Sequence, residues 1–153
     1  MLSMLVQTIP NRSAKSIERI LLKMGVLKNE LDDKDLGGLD KRIKLIENWI
    51  NKYVYDDIKI KVNESSPPGF SLALNQNEKA AISQLINEMK KEYEESELQS
   101  AVYEIAREHN VEPKKFFQIL YQILISKDSG PRLAPFMLAI GKDKISKLLS
   151  LNI

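Results

Sequence analysis

Pro113-Lys114-Lys115-Phe116-Phe117-Gln118-Ile119-Leu120-Tyr121-Gln122-Ile123-Leu124 sets Phe116, Phe117, Leu120, Tyr121 and Leu124 three and four residues apart. That is the period of an α-helix with one buried face, and Pro113 stands where a first helical turn tolerates a missing N–H. The same period extends outward. Leu98, Val102, Ile105 and Ala106 precede it, with a stop near Asn110, and Ile82, Leu85, Ile86 and Met89 come before those. Asn75 and Glu78, three residues apart, predict a capping box at the start of that earlier helix. Downstream, the Gly130-Pro131 break precedes a short helix closed by Gly141, and Ile145, Leu148 and Leu149 mark a last one. Toward the start, Ile17, Ile20, Leu21 and Met24 before Gly25 predict a helix over about 13–24. Leu39, Ile43, Ile46 and Ile50, behind the Gly37-Gly38 pair, predict another over about 39–53. Strand alternation is nearly absent: Ile58, Ile60 and Val62 alternate loosely within 56–62, without a partner strand. The one Pro-Pro-Gly cluster breaks the periodicity within 63–75. The expectation is an all-α protein, a helical bundle or cage of six to eight helices. Its first helical subdomain is residues 1–62, its linker 63–75 and its second subdomain 76–153.

Composition narrows the class. The 153 residues are 43% hydrophobic, 29% charged and 7% aromatic, which gives room for one compact domain or two small ones sharing a core. A chain of this size buries about 70% of its unfolded surface, so it needs no disulfide or metal to hold together. With no cysteine, disulfides, thiolate metal sites and cysteine nucleophiles are excluded, and a cytoplasmic setting is expected. No apolar run approaches the roughly 20 residues of a membrane span, and Met1 to Val6 lacks a basic signal region. The start falls in an apolar stretch, Leu2 to Ile9, which reads as a cut through a longer sequence. The net charge of +2 is near balance, but residues 76–112 hold nine Glu against four Lys/Arg, a net of −5. Residues 113–153 hold seven Lys/Arg against two Asp, a net of +5, and so form a candidate basic patch.

Reactive constellations are missing. The six glycines (25, 37, 38, 69, 130 and 141) never form a phosphate-cradling loop. The single histidine, His109, excludes a two-histidine zinc motif and reads as a helix-end residue. The acidic clusters Asp32-Asp33-Lys34-Asp35, Asp56-Asp57 and Glu92 to Glu97 read as solvated surface, since carboxylates do acid/base or metal chemistry only when held together in distinct environments. No catalytic or metal-binding residue is expected in this chain.

The stretch from Pro113 to Tyr121, followed after nine residues by Gly130-Pro131-Arg132-Leu133-Ala134-Pro135-Phe136-Met137-Leu138-Ala139-Ile140-Gly141, resembles the C-terminal end of class I lysyl-tRNA synthetases. There a Phe-Phe-x-x-Leu-Tyr helix leads to a Gly-Pro-Arg-Leu-Gly-Pro-Phe turn and helix. Leu5-Val6-Gln7, the Leu22 to Gly25 end, Arg42-Ile43 with Glu47-Asn48-Trp49-Ile50-x-x-Tyr53, and Leu98-Gln99 through Ala106 also look like that family, so the resemblance covers essentially the whole chain. Ser126 and Ala134 depart from it where the family carries glycine. The resemblance implies an anticodon-binding, helix-cage module that recognises the anticodon loop of lysine tRNA, with no DNA and no membrane as partner. It also implies a missing N-terminal catalytic domain that uses ATP with magnesium. The nucleotide-binding signatures of that domain are absent here, so no cofactor is expected in this chain, and the enzyme would be the full-length ligase. The alternative is a non-catalytic protein-interaction or regulatory module derived from the synthetase fold.

RNA recognition by such a module stacks splayed bases on aromatic or guanidinium planes and neutralises phosphates with cations. The turn before Leu133 offers backbone N–H groups at a helix start, and Arg132 adds a planar donor fork; the competing reading of Arg132 is a loop brace. Gly130 and Pro131 are expected to define the turn, through unusual glycine dihedrals and a proline in the first helical position. Lys114, Lys115, Lys127, Lys142, Lys144 and Lys147 are candidate phosphate contacts lying opposite the Glu-rich segment. Phe136 is a candidate stacking residue, although Phe116, Phe117, Tyr121 and Phe136 all sit on apolar stripes, where core packing is favoured. Trp49 stacks on a base or braces the junction between the halves, with bracing favoured.

Overall fold

The computed structural model describes residues 1–9, 11–55, 59–65, 67 and 69–153, which form helices, turns and loops with no strand among them. They divide into two compact units, Met1–Lys61 and Val62–Ile153. The expected Asp56-Asp57 cluster and Ile58 lie outside the described residues, as do Ser66 and Pro68 of the expected linker.

The first unit holds α1 (Leu2–Thr8), α2 (Ala14–Lys23) and α3 (Asp33–Tyr53), with α1 and α2 both packed on α3. Its core is Leu5, Val6, Ile17, Ile43 and Ile50. Ser13 caps α2 by accepting the Ser16 N–H at 3.2 Å. Inside this unit Glu18 is only 1% exposed, and its carboxylate accepts the Leu31 N–H at 2.6 Å and faces Lys15 Nζ at 3.0 Å. Those two bonds, the Leu31 N–H foremost, hold the Glu18 carboxyl below the usual range.

Sequence spacing starts α3 near 39, but the helix begins six residues earlier and runs through Gly37 and Gly38. Glycine in a helix interior costs about 1 kcal/mol relative to alanine, and the start is strong enough to bear it. Asp32 accepts the Asp35 N–H at 2.7 Å, and Asp33 and Asp35 place negative charge in the first turn, where the helix dipole favours it. The acidic cluster at 32–35 is therefore a helix cap.

The second unit holds α4 (Phe70–Ala73), a single turn, then α5 (Gln76–Glu88), α6 (Glu95–Glu108), α7 (Pro113–Ile125), α8 (Leu133–Ile140) and α9 (Lys142–Ser150). Helix α5 packs on α6 and α9, α6 on α7 and α8, and α9 on α7 and α8. Ile82, Leu85, Leu98, Phe116, Leu120, Leu124, Leu133, Phe136, Ile145 and Leu149 fill the core between them. The capping box at α5 is present, with the Glu78 N–H donating to Asn75 Oδ1 and the Asn75 N–H to Glu78 Oε2, both at 2.9 Å. Pro113 is the first residue of α7, and His109 is the C-cap of α6 with its Nε2 beside Gln84 Oε1 at 2.5 Å.

Helix α7 ends on Ser126, whose φ of +55° is the left-handed conformation that a non-glycine residue adopts at some cost. Asn63, within the stretch read as a linker, closes this end. Its N–H donates to the Leu124 carbonyl at 2.8 Å, and its Nδ2 to the carbonyls of Ile123 at 2.8 Å and Gln122 at 3.3 Å. The Asn63 amide also exchanges hydrogen bonds with Ser126 Oγ, donating at 3.0 Å and accepting at 3.1 Å. Carbonyls orphaned by the helix end thus find donors, and the serine at the glycine-like position has a use for its hydroxyl.

Candidate nucleic-acid interface

In the second unit the basic candidates and the Glu-rich segment meet directly. Arg132 Nη1 lies 3.0 Å from Glu95 Oε1, Lys115 Nζ 2.5 Å from Glu78 Oε1, and Lys142 Nζ 2.7 Å from Glu92 Oε1. Lys142 Nζ also donates to the Lys91 carbonyl at 2.5 Å. The expected arrangement, a basic side opposite an acidic one, is therefore corrected: the −5 and +5 segments are joined by ion pairs between α5 and α7, between α6 and the start of α8, and between the α5–α6 loop and α9. The reason lies in the helix packing: α6 packs on α8, which sets Arg132 beside Glu95, and α5 and α7 both pack on α6 and α9, which puts the Lys115 ammonium within reach of Glu78.

These pairs differ in kind. Glu78 is 2% exposed. Burial pushes its carboxyl up, but the Lys115 ammonium and the Asn75 N–H outweigh burial and hold it below the ordinary glutamate value. Lys115 thus answers a buried charge. Arg132 keeps 75% of its side chain exposed beside a Glu95 that is 23% exposed, so its guanidinium retains donors facing water. Arg132 thus braces the start of α8 on α6 while most of its side chain faces water. Glu92, at 96% exposure, stays solvated as expected while holding Lys142.

Lys114 and Lys147 are exposed and Lys144 half-buried, and none of the three makes an ion pair with another described residue. Lys127 is half-buried in the α7–α8 loop.

The turn before α8 is built differently from the expectation. Arg132 is the N-cap and Leu133 the first helical residue, so Pro131 lies before the helix rather than in its first turn. Its carbonyl accepts the Tyr121 hydroxyl at 2.5 Å, and burial pushes that hydroxyl's pKa up, keeping it a donor. In the first turn of α8, Pro135 has no N–H and the Ala134 N–H already donates to Gln99 Oε1 at 3.4 Å. That leaves the Leu133 N–H against the several that an anion cradle needs. Ala134 is fully buried, so this departure from glycine sits inside the protein and not at an approach surface.

Gly130 does not use a left-handed conformation; the positive-φ glycines are 25, 69 and 141. It is required by proximity. A Cβ built there would lie 2.9 Å from Tyr121 Cε1, 3.0 Å from Tyr121 Cδ1 and 2.9 Å from Ile125 Cδ1. The Ile125 methyl can move, whereas the Tyr121 ring is held by its hydroxyl on Pro131. Gly130→Ala is expected to lower stability by about 1–3 kcal/mol, the usual cost of overpacking. Urea unfolding checks this, and a wild-type midpoint would mean that the loop yields.

The aromatic candidates separate. Phe136 is 0% exposed and has no ring face for a base, as is Phe116. Phe117 rests against Tyr103, ring centroids 4.8 Å apart, and Tyr103 is 42% exposed. Trp49, in the first unit, is 54% exposed on α3. Sequence reasoning passed over its neighbours on that face, Leu45 and Tyr53, at 69% and 63% exposure; the four-residue spacing was visible, but not which stripe of α3 lacks a partner.

Among the described residues no group of three or more histidines or acids is placed to hold a metal ion, and no helix is long and apolar enough to cross a membrane. The family of anticodon binding domains matches residues 40–150. Over 152 residues the chain is 37% identical to the lysine–tRNA ligase of Borrelia garinii subsp. bavariensis, covering 97% of this chain and 27% of that protein. Over 146 residues it is 32% identical to the lysine–tRNA ligase of Thermococcus kodakarensis, covering 94% of this chain and 27% of the relative. To that of Pyrococcus horikoshii it is 28% identical over 153 residues, 99% of this chain and 28% of the relative. The chain thus spans about a quarter of the length of these curated relatives. Since the family match takes in most of α3 and nearly all of the second unit, well over half of the sequence, the chain belongs to the anticodon binding domain family.

Proposed function

We propose that this chain is the tRNA anticodon-binding module of a lysine–tRNA ligase, and that it recognises the anticodon loop of lysine tRNA without itself catalysing aminoacylation. The observation that carries this reading is the anticodon binding domain match over residues 40–150, together with similarity to lysine–tRNA ligases along nearly the whole chain. The geometry supports it with the exposed Lys114 and Lys147 and the half-buried Lys144, which make no ion pair among the described residues, and with the exposed guanidinium of Arg132. Lys127 belongs to the same proposed contact set. ATP, magnesium and the chemistry of ligation belong, in this reading, to the remaining three quarters of the ligase, and the cytoplasm is where its tRNA would be met. A regulatory module that has lost RNA contact is the weaker reading, because the ligase similarity is spread along the chain instead of being confined to a core motif.

The test is binding of the chain to a lysine anticodon stem–loop and to one with a changed anticodon, at 50 and 200 mM salt. The cognate loop is expected to bind about tenfold tighter, since a misread base costs about 1–3 kcal/mol. Both affinities are expected to fall with salt at a log–log slope of about 0.7–0.9 per phosphate contacted. Saturable binding that ignores the anticodon would overturn the specific reading.

A further inference from the structure

Once the unit boundary is drawn at residues 61 and 62, the charge balance changes place. The first unit carries twelve Lys/Arg against nine Asp/Glu, a net of +3, and the second eleven against twelve, a net of −1. The more basic unit is the one opposite to that expected from the sequence segments.

Within it α3 presents an unusual face. Leu45, Trp49 and Tyr53 are spaced four residues apart, so they fall on one line along the helix, and they are 69%, 54% and 63% exposed. Three large apolar side chains in a row on a helix of a water-soluble surface call for an occupant. The charges around them say which. Lys41, Arg42 and Lys52 flank this line, all exposed, and Lys52 Nζ sits 5.4 Å from the centroid of the Tyr53 ring. Between Lys41 and Tyr53 the only acid is Glu47. Glu47 is two residues from both Leu45 and Trp49, which at 100° per residue turns it to the far side of the helix, where it accepts from Arg12 Nη1 at 3.3 Å. Along α3 the line is therefore bordered by cations, and the one carboxylate of the helix between Lys41 and Tyr53 faces away from it. A tryptophan and a tyrosine standing out of a cationic surface form the arrangement on which unpaired bases stack while lysines and arginines meet the phosphates.

We infer that the Leu45–Trp49–Tyr53 face of α3 is a stacking platform for unpaired bases of the bound RNA, with Lys41, Arg42 and Lys52 taking the adjacent phosphates. This rests on the reading of the chain as a tRNA-binding module, and it adds a contact surface in the first unit to the candidates of the second.

Trp49 is the only tryptophan, so its fluorescence reports this face alone. The full chain is titrated with the lysine anticodon stem–loop and with the same stem as a blunt duplex without a loop, at equal phosphate, and affinity is read separately from the anisotropy of labelled RNA. The stem–loop is expected to quench Trp49 and the duplex to leave it nearly unchanged. Trp49→Ala is expected to weaken stem–loop binding about tenfold, in line with the loss of one stacked base, while Trp49→Phe, which keeps an aromatic face, retains most of the affinity. Both variants are expected to keep the wild-type helical content, because the side chain is exposed. Stem–loop binding that neither quenches Trp49 nor weakens in Trp49→Ala would overturn the platform while leaving the tRNA-binding reading intact. Equal quenching by loop and duplex overturns stacking in favour of phosphate contact, and self-association abolished by Trp49→Ala overturns it in favour of a protein interface. A wild-type chain that binds neither RNA overturns the tRNA-binding reading, and the platform with it.

Discussion

Phe136→Ala is expected to cost about 3–5 kcal/mol of stability, as large-to-small changes of a buried phenylalanine do. The ring is 0% exposed in the middle of α8, which packs on α6 and α9, so its removal deletes apolar burial and leaves a void that three helices share. Against a typical total of about 5–15 kcal/mol, the loss approaches the whole margin of a small domain. Urea unfolding followed by circular dichroism measures it. Phe136→Leu, closer in volume, is expected to restore most of the stability and to bind the anticodon stem–loop as the wild type does. A Leu variant that is stable yet binds RNA weakly would return Phe136 to the RNA surface and contradict its placement in the core.

Lys115→Met is expected to lower stability at neutral pH by about 1–2 kcal/mol, because it leaves the Glu78 carboxylate buried with only the Asn75 N–H for a partner. The figure is below the cost of breaking a wholly buried pair, since Lys115 itself is 57% exposed and water replaces part of what the ammonium supplied. The sign with pH follows from the depressed carboxyl. Glu78 contributes stability above the ordinary glutamate value of 4.5, and that contribution is lost as pH falls through its lower folded value. Without Lys115 burial dominates and the carboxyl moves up, so the variant and the wild type converge in stability below that window. Stability curves from pH 3 to 7 read this directly, and a gap that is constant with pH would show that the methionine acts by some route other than Glu78. Lys115→Met combined with Glu78→Gln removes both charges and is expected to recover stability. RNA affinity measured in that double variant then isolates any phosphate contact made by Lys115.

The helices were legible because their signals are local. The apolar period of α5, α6 and α7, the Asn75–Glu78 box and Pro113 all act within one or two turns, and the structure places each as the spacing predicts. The start of α3 was misread because the Gly37-Gly38 pair looks like a stop, while the decisive residue, Asp32, caps a stretch with few apolar residues. What the sequence does not display is which distant charges meet. Arg132 with Glu95 and Lys142 with Glu92 are joined only by helix packing, so a count of charge by segment gave a basic end where the structure has cross-linked pairs. Gly130 shows the same limit in steric form: glycine was expected there, but for its dihedrals, whereas what demands it is a ring nine residues earlier.

Asn63 has a bearing on how the second unit comes to be made. It caps carbonyls that lie 59 and 60 residues further along the chain, so a growing polypeptide emerges with the cap first and the helix end long afterwards. Closing a loop of that length is only slightly dearer than closing a short one, about 0.6 kcal/mol for each doubling, but it cannot happen until α5, α6 and α7 have all been synthesised. The cap on the last turn of α7 therefore closes only after those helices have emerged, and insertions into the intervening loops are expected to slow that closure more than they weaken the finished fold.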